Sequence, residues 1–135
     1  MKENDEARTK ALPPHLQLIQ MASANWVSRV VYAAAKLDLA DHLANQPKSA
    51  DELAGPTRTD KTSLYRLMRT LASLGVLSED NDRHFELTPL GEALKTGAPG
   101  FAHSSVLTLG ADLRWRSWGE LLHCLETGET GVEKA

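Results

Sequence analysis

Residues 49–94, SADELAGPTRTDKTSLYRLMRTLASLGVLSEDNDRHFELTPLGEAL, decide the fold that this 135-residue chain is expected to adopt. The segment indicates a short helix, a turn, a longer helix, two strands joined by an acidic tip, and a new helix. This order of elements is typical of a winged helix-turn-helix with a small β-hairpin wing. We therefore predict a mainly α-helical fold built around this segment, with extra helices before and after it.

Capping and turn residues mark the ends of the first helix in this segment. Ser49 and Glu52 have the spacing of a capping box, in which the hydroxyl accepts from one backbone N–H and the carboxylate from another. Gly55 followed by Pro56 is expected to end the helix, because proline has no N–H to continue it. We therefore expect a helix of one to two turns.

The second helix carries an apolar stripe at helical spacing. Thr59 or Asp60 is its expected cap, and Gly75 is its expected end. After it, Phe85 and Leu87 alternate with polar neighbours, as in a half-buried strand. The predicted buried face of the helix consists of Leu64, Leu67, Met68, Leu71 and Leu74.

The N-terminal part divides into a polar tail, residues 1–11, and the start of a domain that covers residues 12–135. Apolar residues between Leu16 and Leu37 occupy a wide arc of one predicted helix. Two interpretations stay open for this helix: it lies in the core, or it packs between two subunits. Asp38 stands where a left-handed C-cap is expected, and Leu39–Ala44 adds one or two further helical turns.

The C-terminal part begins with the loop Lys95–Gly100 and continues with two predicted helices, Ser104–Leu113 and Trp115–Thr127. The second helix has apolar residues at Trp118, Leu121, Leu122 and Leu125. A monomer has too few other residues to cover both these apolar positions and the apolar arc of the first helix. The terminal helices are therefore expected to form a dimer interface, and we predict a homodimer.

Composition excludes several classes of protein. The chain has 15 basic and 18 acidic residues and a net charge of −3, so it lacks the broad basic field that attracts nucleic acid. No apolar run approaches the roughly 20 residues needed to span a bilayer, and no signal peptide is visible. Cys124 is the single cysteine and is expected to be a small buried core residue. The expected location is a reducing cytoplasm, with no membrane partner.

DNA binding is the alternative that the order of elements suggests. The outward face of the second helix offers side chains able to contact phosphates and bases: Arg58, Lys61, Tyr65, Arg66 and Arg69. Acidic residues oppose this use, because Asp60 begins that helix and Glu79, Asp80 and Asp82 occupy the predicted wing tip. Carboxylates beside phosphates repel them, so we expect no nucleic-acid partner. A winged-helix transcriptional regulator is kept as the alternative function.

Motifs for catalysis, cofactor binding and metal binding are absent from the sequence. There is no nucleophile elbow, phosphate-binding loop, HExxH or GxGxxG pattern. The five histidines have no metal-ligand spacing. We therefore predict no catalytic, cofactor-binding or metal-binding residue in this chain, which is expected to be inactive by itself.

Five segments in order nevertheless resemble a known family: KLDLADHL at 36–43, SADELAG at 49–55, SLYRLMRTLASLGVL at 63–77, FELTPLGEAL at 85–94 and WGELLHCLETG at 118–128. They are similar to the N-terminal dimerisation domain of S-adenosylmethionine-dependent small-molecule O-methyltransferases of the plant-phenolic and bacterial-polyketide type. The resemblance runs from about Leu16 to the last residue. Asp38 departs from the glycine usual in that family.

The resemblance implies a function that this chain would share with a second domain. In the family, a Rossmann-like catalytic domain follows, and it binds S-adenosylmethionine and the aromatic or polyketide acceptor. The dimerisation domain pairs two subunits and covers the opening of the substrate site. The catalytic domain is expected to be absent from this chain, which ends where the linker to that domain would begin.

The resemblance also assigns candidate substrate-binding residues. Family members line the acceptor pocket from the helix before the W-x-x-L motif and from the first helix of the partner. Mapped onto this sequence, these positions are Thr108, Asp112 and Trp115, with Met21 from the other subunit. A flat indole and a polarizable thioether suit contact with an aromatic acceptor. Packing without ligand contact is the alternative role for each residue.

Overall fold

The computed structural model describes residues 12–135, and the predicted polar tail, residues 1–11, lies outside the described residues. In the described part of the chain the helices are α1 Pro14–Ser23, α2 Asn25–Lys36, α3 Leu39–His42, α4 Ala50–Thr57, α5 Lys61–Ser73, α6 Pro89–Glu92, α7 Ala102–Leu109, α8 Asp112–Gly119, α9 Leu121–Thr127 and α10 Gly131–Lys134. The strands are β1 Lys48–Ser49, β2 Leu77–Glu79 and β3 His84–Leu87. The predicted fold class, mainly α-helical with a small β-hairpin, is confirmed.

The three strands form one antiparallel sheet in the order β1-β3-β2. Leu77 pairs with Leu87 across β2 and β3, and Lys48 pairs with Phe85 across β1 and β3. The strand β1 was not predicted, because two residues before a helix carry no periodic signal. It places the start of α4 against the hairpin.

The core is built where α5 packs against the hairpin and the preceding helices. Leu64, Met68 and Leu71 are buried, and Leu67 and Leu74 are half-buried at the margin, so the predicted stripe is correct in position. Phe85 from β3 is fully buried, and Tyr65 of α5 meets it edge-on with ring centroids 5.9 Å apart. The whole core is contributed by Ala34, Ala35, Leu39, Ala40, Leu43, Ala50, Leu53, Leu64, Met68, Leu71, Val76, Leu77, Phe85 and Leu94.

The caps of α4 and α5 differ in part from the prediction. Asp60 is the cap of α5, since its carboxylate accepts from the N–H and the hydroxyl of Ser63, both at 2.9 Å. The backbone bond from Ser63, followed by the hydroxyl bond, holds the pKa of Asp60 below its ordinary value. Ser49 accepts from the N–H of Glu52 at 3.1 Å, but the reciprocal half of the predicted capping box is wrong. The Glu52 carboxylate instead accepts from His84 Nε2 at 3.3 Å.

The end of α4 was also predicted too early. The helix continues through Pro56 to Thr57, and Arg58 follows with a left-handed φ of 56°. Proline removes only one N–H from the last turn, and the Thr57 hydroxyl donates to the Leu53 carbonyl there at 2.7 Å. The remaining loss is small enough for the helix to continue to Thr57.

The wing tip is shorter than predicted. Its turn spans 80–83, where the Asp80 carboxylate accepts from the N–H of His84 at 2.9 Å and of Asp82 at 2.8 Å. The bond from His84 is the largest cause that lowers the pKa of Asp80. Glu79 does not belong to the tip: it ends β2, is only 18% exposed, and forms an ion pair with Arg69 at 3.2 Å.

The terminal helices are more segmented than predicted. The first helix is interrupted at Ala24, and the predicted Ser104–Leu113 and Trp115–Thr127 are replaced by α7, α8 and α9. Gly110 and the extended Ala111 (ψ 146°) separate α7 from α8, and Glu120 separates α8 from α9. A Cβ on Gly110 would lie 2.3 Å from the Tyr32 ring. Close packing of this turn on α2 therefore ends α7 sooner than its apolar pattern indicates.

Asp38 adopts the left-handed conformation predicted for it, with φ 52°. Its carboxylate lies 2.9 Å from His103 Nε2, which is also 3.1 Å from the carbonyl of Ala35. Because both partners are acceptors, this nitrogen carries the proton. Aspartate at this position therefore provides a hydrogen bond between the end of α2 and the start of α7.

A second polar contact joins α3 to the loop after α6. Thr96 donates to the Asp41 carboxylate from its N–H at 2.9 Å and from its hydroxyl at 2.6 Å. Partial burial raises the pKa of Asp41, but the bonds from Thr96 and the nearby His103 and His42 outweigh it, so the pKa lies below 3.8. The contact fixes the loop Lys95–Gly100, which is present as predicted.

We predict that replacement by alanine changes the free energy of unfolding in opposite directions at two helical glycines. A Cβ on Gly91 would lie 2.2 Å from the Val76 carbonyl oxygen, so Gly91→Ala should lower the free energy of unfolding by roughly 1–3 kcal/mol. Apart from neighbouring atoms of its own helix, nothing lies within 4 Å of a Cβ on Gly55 in α4. Gly55→Ala should therefore raise the free energy of unfolding by about 0.5–1 kcal/mol. Urea unfolding of both variants measures these changes, and equal shifts would contradict the close contact at Gly91.

We also predict a pH-dependent contribution from the contact between Thr96 and Asp41. Because the pKa of Asp41 is lowered in the folded state, this stabilisation is present above about pH 4 and is lost as the pH falls through the folded-state value. Thr96→Val should therefore destabilise the chain at pH 7, by less than about 1 kcal/mol because water screens the exposed carboxylate, and the effect should shrink in acid.

The matched control is Thr70→Val, which removes a hydroxyl that donates to the neutral carbonyl of Arg66 at 2.8 Å. Its effect on the free energy of unfolding should be the same at pH 7 and in acid. If Thr96→Val destabilises the chain equally at pH 7 and in acid, the Thr96 hydroxyl does not lower the pKa of Asp41.

Candidate functional site

The two ends of the described chain expose their apolar side chains. No residue in 12–33 or 111–135 is buried, although both stretches are largely helical. Among the most exposed are Leu18 at 66%, Met21 at 73% and Trp118 at 74%. The other large apolar side chains exposed in these stretches are Leu12, Leu16, Ile19, Trp26, Leu113, Leu121, Leu122, Leu125 and Val132. A set this large on one chain marks an interaction surface.

Helices α8, α9 and α10 enclose an apolar groove of about 470 Å³. A Cβ on Gly131 would lie 2.6 Å from the Ser117 carbonyl, so α10 crosses α8 at close range and closes one side of the groove. Cys124 lies in this groove and is half-buried, so its predicted place in the core was wrong. The helix that carries it has no buried residue, because nothing in the described chain covers that face.

The candidate substrate residues Thr108, Asp112 and Trp115 lie close together around the turn between α7 and α8. Thr108 is in the last turn of α7, Asp112 begins α8, and Trp115 follows one turn later on the same side. Thr108 and Asp112 are exposed, and Trp115 is half-buried. Met21 lies on α1 and is joined to the other three by no hydrogen bond, ion pair or aromatic contact in residues 12–135.

Arg29 of α2 organises this turn. Its Nη1 donates to the Gly110 carbonyl at 2.9 Å. Its guanidinium carbon lies over two rings, 4.5 Å from the centroid of Tyr32 and 4.6 Å from that of Trp115. Both distances are within the range in which a cation is attracted by an aromatic face. Arg29 therefore holds α8 against α2 through one hydrogen bond and two ring contacts.

The polar groups at the turn suit binding rather than bond making. The Thr108 hydroxyl donates to the Ser104 carbonyl at 2.9 Å, which leaves its oxygen as an acceptor. The Asp112 carboxylate is paired with Arg116 one turn further along α8. Within residues 12–135 no cluster of three or more histidine, cysteine or carboxylate side chains is arranged to hold a metal ion.

The face of α5 that suggested DNA binding is partly engaged within the chain. Arg69 donates to Tyr65 Oη at 3.3 Å and to Glu79 at 3.2 Å, and the Tyr65 bond is the larger cause that raises its pKa. Tyr65 is half-buried rather than presented outward, and Arg83 lies over its ring at 5.1 Å. This arrangement neutralises part of the basic face with a carboxylate of the neighbouring strand.

Sequence reasoning missed Arg29, Tyr32 and Gly110 as parts of this site. The available signal was an arginine inside an otherwise apolar helical arc and a glycine inside the predicted helix Ser104–Leu113. Neither pattern identifies a partner, because the three residues meet only after α2 and the turn pack together.

None of the described helices has the length and apolar character needed to cross a bilayer.

Comparisons with known proteins place this architecture among methyltransferases. The family model of the O-methyltransferase dimerisation domain matches residues 19–97. Phenazine O-methyltransferase PhzM of Lysobacter antibioticus is 39% identical over 134 residues, which are 99% of this chain and 38% of that protein.

Two solved structures show the same fold. The crystal structure of LaPhzM matches with a TM-score of 0.86 and 38% identity, over 91% of this chain and 37% of that one. CalO1, a methyltransferase in calicheamicin biosynthesis solved in its SAH-bound form, matches with a TM-score of 0.74 and 29% identity, over 88% and 36%. The chain thus spans less than two fifths of the length of the relatives it matches.

Proposed function

The chain belongs to the family of O-methyltransferase dimerisation domains, and from this membership we propose that it joins two subunits of an S-adenosylmethionine-dependent O-methyltransferase and covers the acceptor site. The acceptor would be an aromatic or polyketide-type small molecule. The domain would comprise residues 12–135, and the Rossmann-like catalytic domain would belong to the rest of the parent protein. The alternative, a DNA-binding regulator, gains no support from the comparisons.

The observation that supports dimerisation most strongly is the complete absence of buried residues in 12–33 and 111–135. Side chains such as Ile19, Leu122 and Leu125 lie on helices with nothing above them in the chain. Obligate dimers bury roughly 2,000 Å² or more of largely apolar surface. A second copy of the chain supplies matching apolar helices, so we propose a homodimer in which the terminal helices of both subunits pack together.

For the acceptor, we propose contacts from Thr108, Asp112 and Trp115 of one subunit and from Met21 of its partner. The first three flank the break between α7 and α8, with Thr108 in the last turn of α7 and Asp112 and Trp115 in the first turn of α8. Met21 is 73% exposed on α1, which makes it available to another subunit. Trp115 would stack on a planar acceptor, Met21 would cover its edge, and the two polar groups would orient it.

The residues described in the structure do not fit S-adenosylmethionine. Such cofactors are held where a parallel strand turns into a helix through a glycine-rich loop. The strands of residues 12–135 form one short antiparallel sheet, and the loop with Gly97 and Gly100 follows a helical turn rather than a strand. We therefore assign the cofactor to the parent protein's catalytic domain and derive no chemical step from this chain.

We predict that the chain sediments as a dimer and that one charge on α1 dissociates it. Ile19→Arg places a guanidinium on the proposed interface, where desolvation without a partner is unfavourable, and should give a monomer. Leu90→Arg is the matched control, because both side chains are 60% exposed but Leu90 lies on α6. Sedimentation velocity at tens of micromolar distinguishes the dimer from the monomer. A monomeric unsubstituted chain with a cooperative melt would contradict the proposal.

We predict further that the chain alone does not bind S-adenosylmethionine. Calorimetric titration should show no saturable heat at micromolar cofactor, whereas a relative that includes its catalytic domain should bind under the same conditions. Saturable binding by this chain would mean that a cofactor site exists among its own residues.

A further inference from the structure

Arg29 lacks the partner that a half-buried arginine usually has. Within residues 12–135 no carboxylate oxygen lies within 4.0 Å of its guanidinium, whereas Arg69 and Arg116 each have one. Its contacts are instead two aromatic rings and the Gly110 carbonyl. A cation–π contact gains strength when water is excluded, so this placement makes the rings its main counterparts.

The position of Trp115 depends on this contact. No residue in 111–135 is buried, so the core does not immobilise the indole ring. Tyr32 packs against Gly110 so closely that a Cβ there would clash, and this packing fixes the second ring that the guanidinium contacts. Contacts therefore run from Tyr32 through Arg29 to Trp115, and they connect α2, beside the core, with the start of α8.

We propose that Arg29 is a positioning residue for the acceptor site: it holds the Trp115 ring at a fixed angle, so that the rest of the indole can stack on a planar hydroxylated aromatic. The inference rests on the proposed function, because it takes Trp115 as an acceptor contact. Arg29 itself need not touch the acceptor. Arg29 restricts the rotamers of Trp115 before the acceptor binds, so less conformational entropy is lost on binding. Such preorganisation strengthens affinity.

The first test measures the ring without any ligand. In a chain with Trp26→Phe and Trp118→Phe, Trp115 is the only tryptophan, so its fluorescence reports one site. Arg29→Ala should move its emission to longer wavelength and lower its anisotropy, because the ring becomes mobile and more hydrated. Arg66→Ala removes the same charge from an exposed position on α5 and should change neither quantity. An unchanged Trp115 signal in Arg29→Ala, in a chain that still melts cooperatively, overturns the inference.

The second test measures binding of a probe, 1-hydroxyphenazine, a planar hydroxylated aromatic, by calorimetric titration of the parent protein that includes the catalytic domain. Arg29→Ala should weaken binding roughly three- to tenfold, as expected for loss of one or two cation–π contacts that order the ring. Arg29→Lys keeps the charge but not the planar fork that reaches the Gly110 carbonyl, and should recover only part of the affinity. In the double variant with Trp115→Leu, Arg29→Ala should add nothing.

The outcomes separate this inference from the proposed function. If Trp115→Leu weakens probe binding and Arg29→Ala does not, the acceptor contact stands and the role of Arg29 is overturned. If neither substitution weakens binding of the probe by the parent protein, the acceptor role of Trp115 is overturned together with the inference. Dimerisation is measured independently by sedimentation and is unaffected by either result.

Discussion

Burial of Phe85, Met68 and Leu71 in one shared core is the interaction on which the other elements depend. These side chains come from the hairpin and from α5, and they share the core with apolar residues of α2, α3 and α4. Every buried hydrophobic residue of the described chain lies between Ala34 and Leu94. The buried core is thus confined to the centre of the described chain, and residues 12–33 and 111–135 contribute no buried side chain to it.

This uneven distribution of burial connects the fold with its proposed use. A segment that resembles a DNA reader serves here as the rigid centre, and its charged side chains are partly used internally, as in the pair of Arg69 with Glu79. The terminal helices keep the exposed apolar surface. Polar and cation–π contacts of Arg29 and His103 add to the partly buried apolar contacts that connect them to the centre.

Local signals in the sequence predicted the central elements well. The cap at Asp60, the stripe from Leu64 to Leu74 and the turn at Gly75 depend on neighbours within one helical turn, so spacing alone locates them. The Glu52 carboxylate and Glu79 were misplaced because each is attracted by a residue distant in sequence, His84 and Arg69 respectively. The breaks at Ala24, Gly110 and Glu120 were missed because the apolar pattern continues through them. Arg29 shows the same limit at the site, since nothing near it in sequence identifies Trp115 as its partner.

Asp38 has a consequence for how sequences related to this one vary. Glycine adopts a left-handed backbone without steric cost, whereas aspartate adopts it less readily. Here the carboxylate compensates by accepting from His103, and the same imidazole nitrogen lies within reach of the Ala35 carbonyl in the last turn of α2. A relative with glycine at this position has no carboxylate to engage, and its residue equivalent to His103 is released from that constraint. Among related sequences, glycine at this position would keep the left-handed turn but lose the hydrogen bond that joins it to α7.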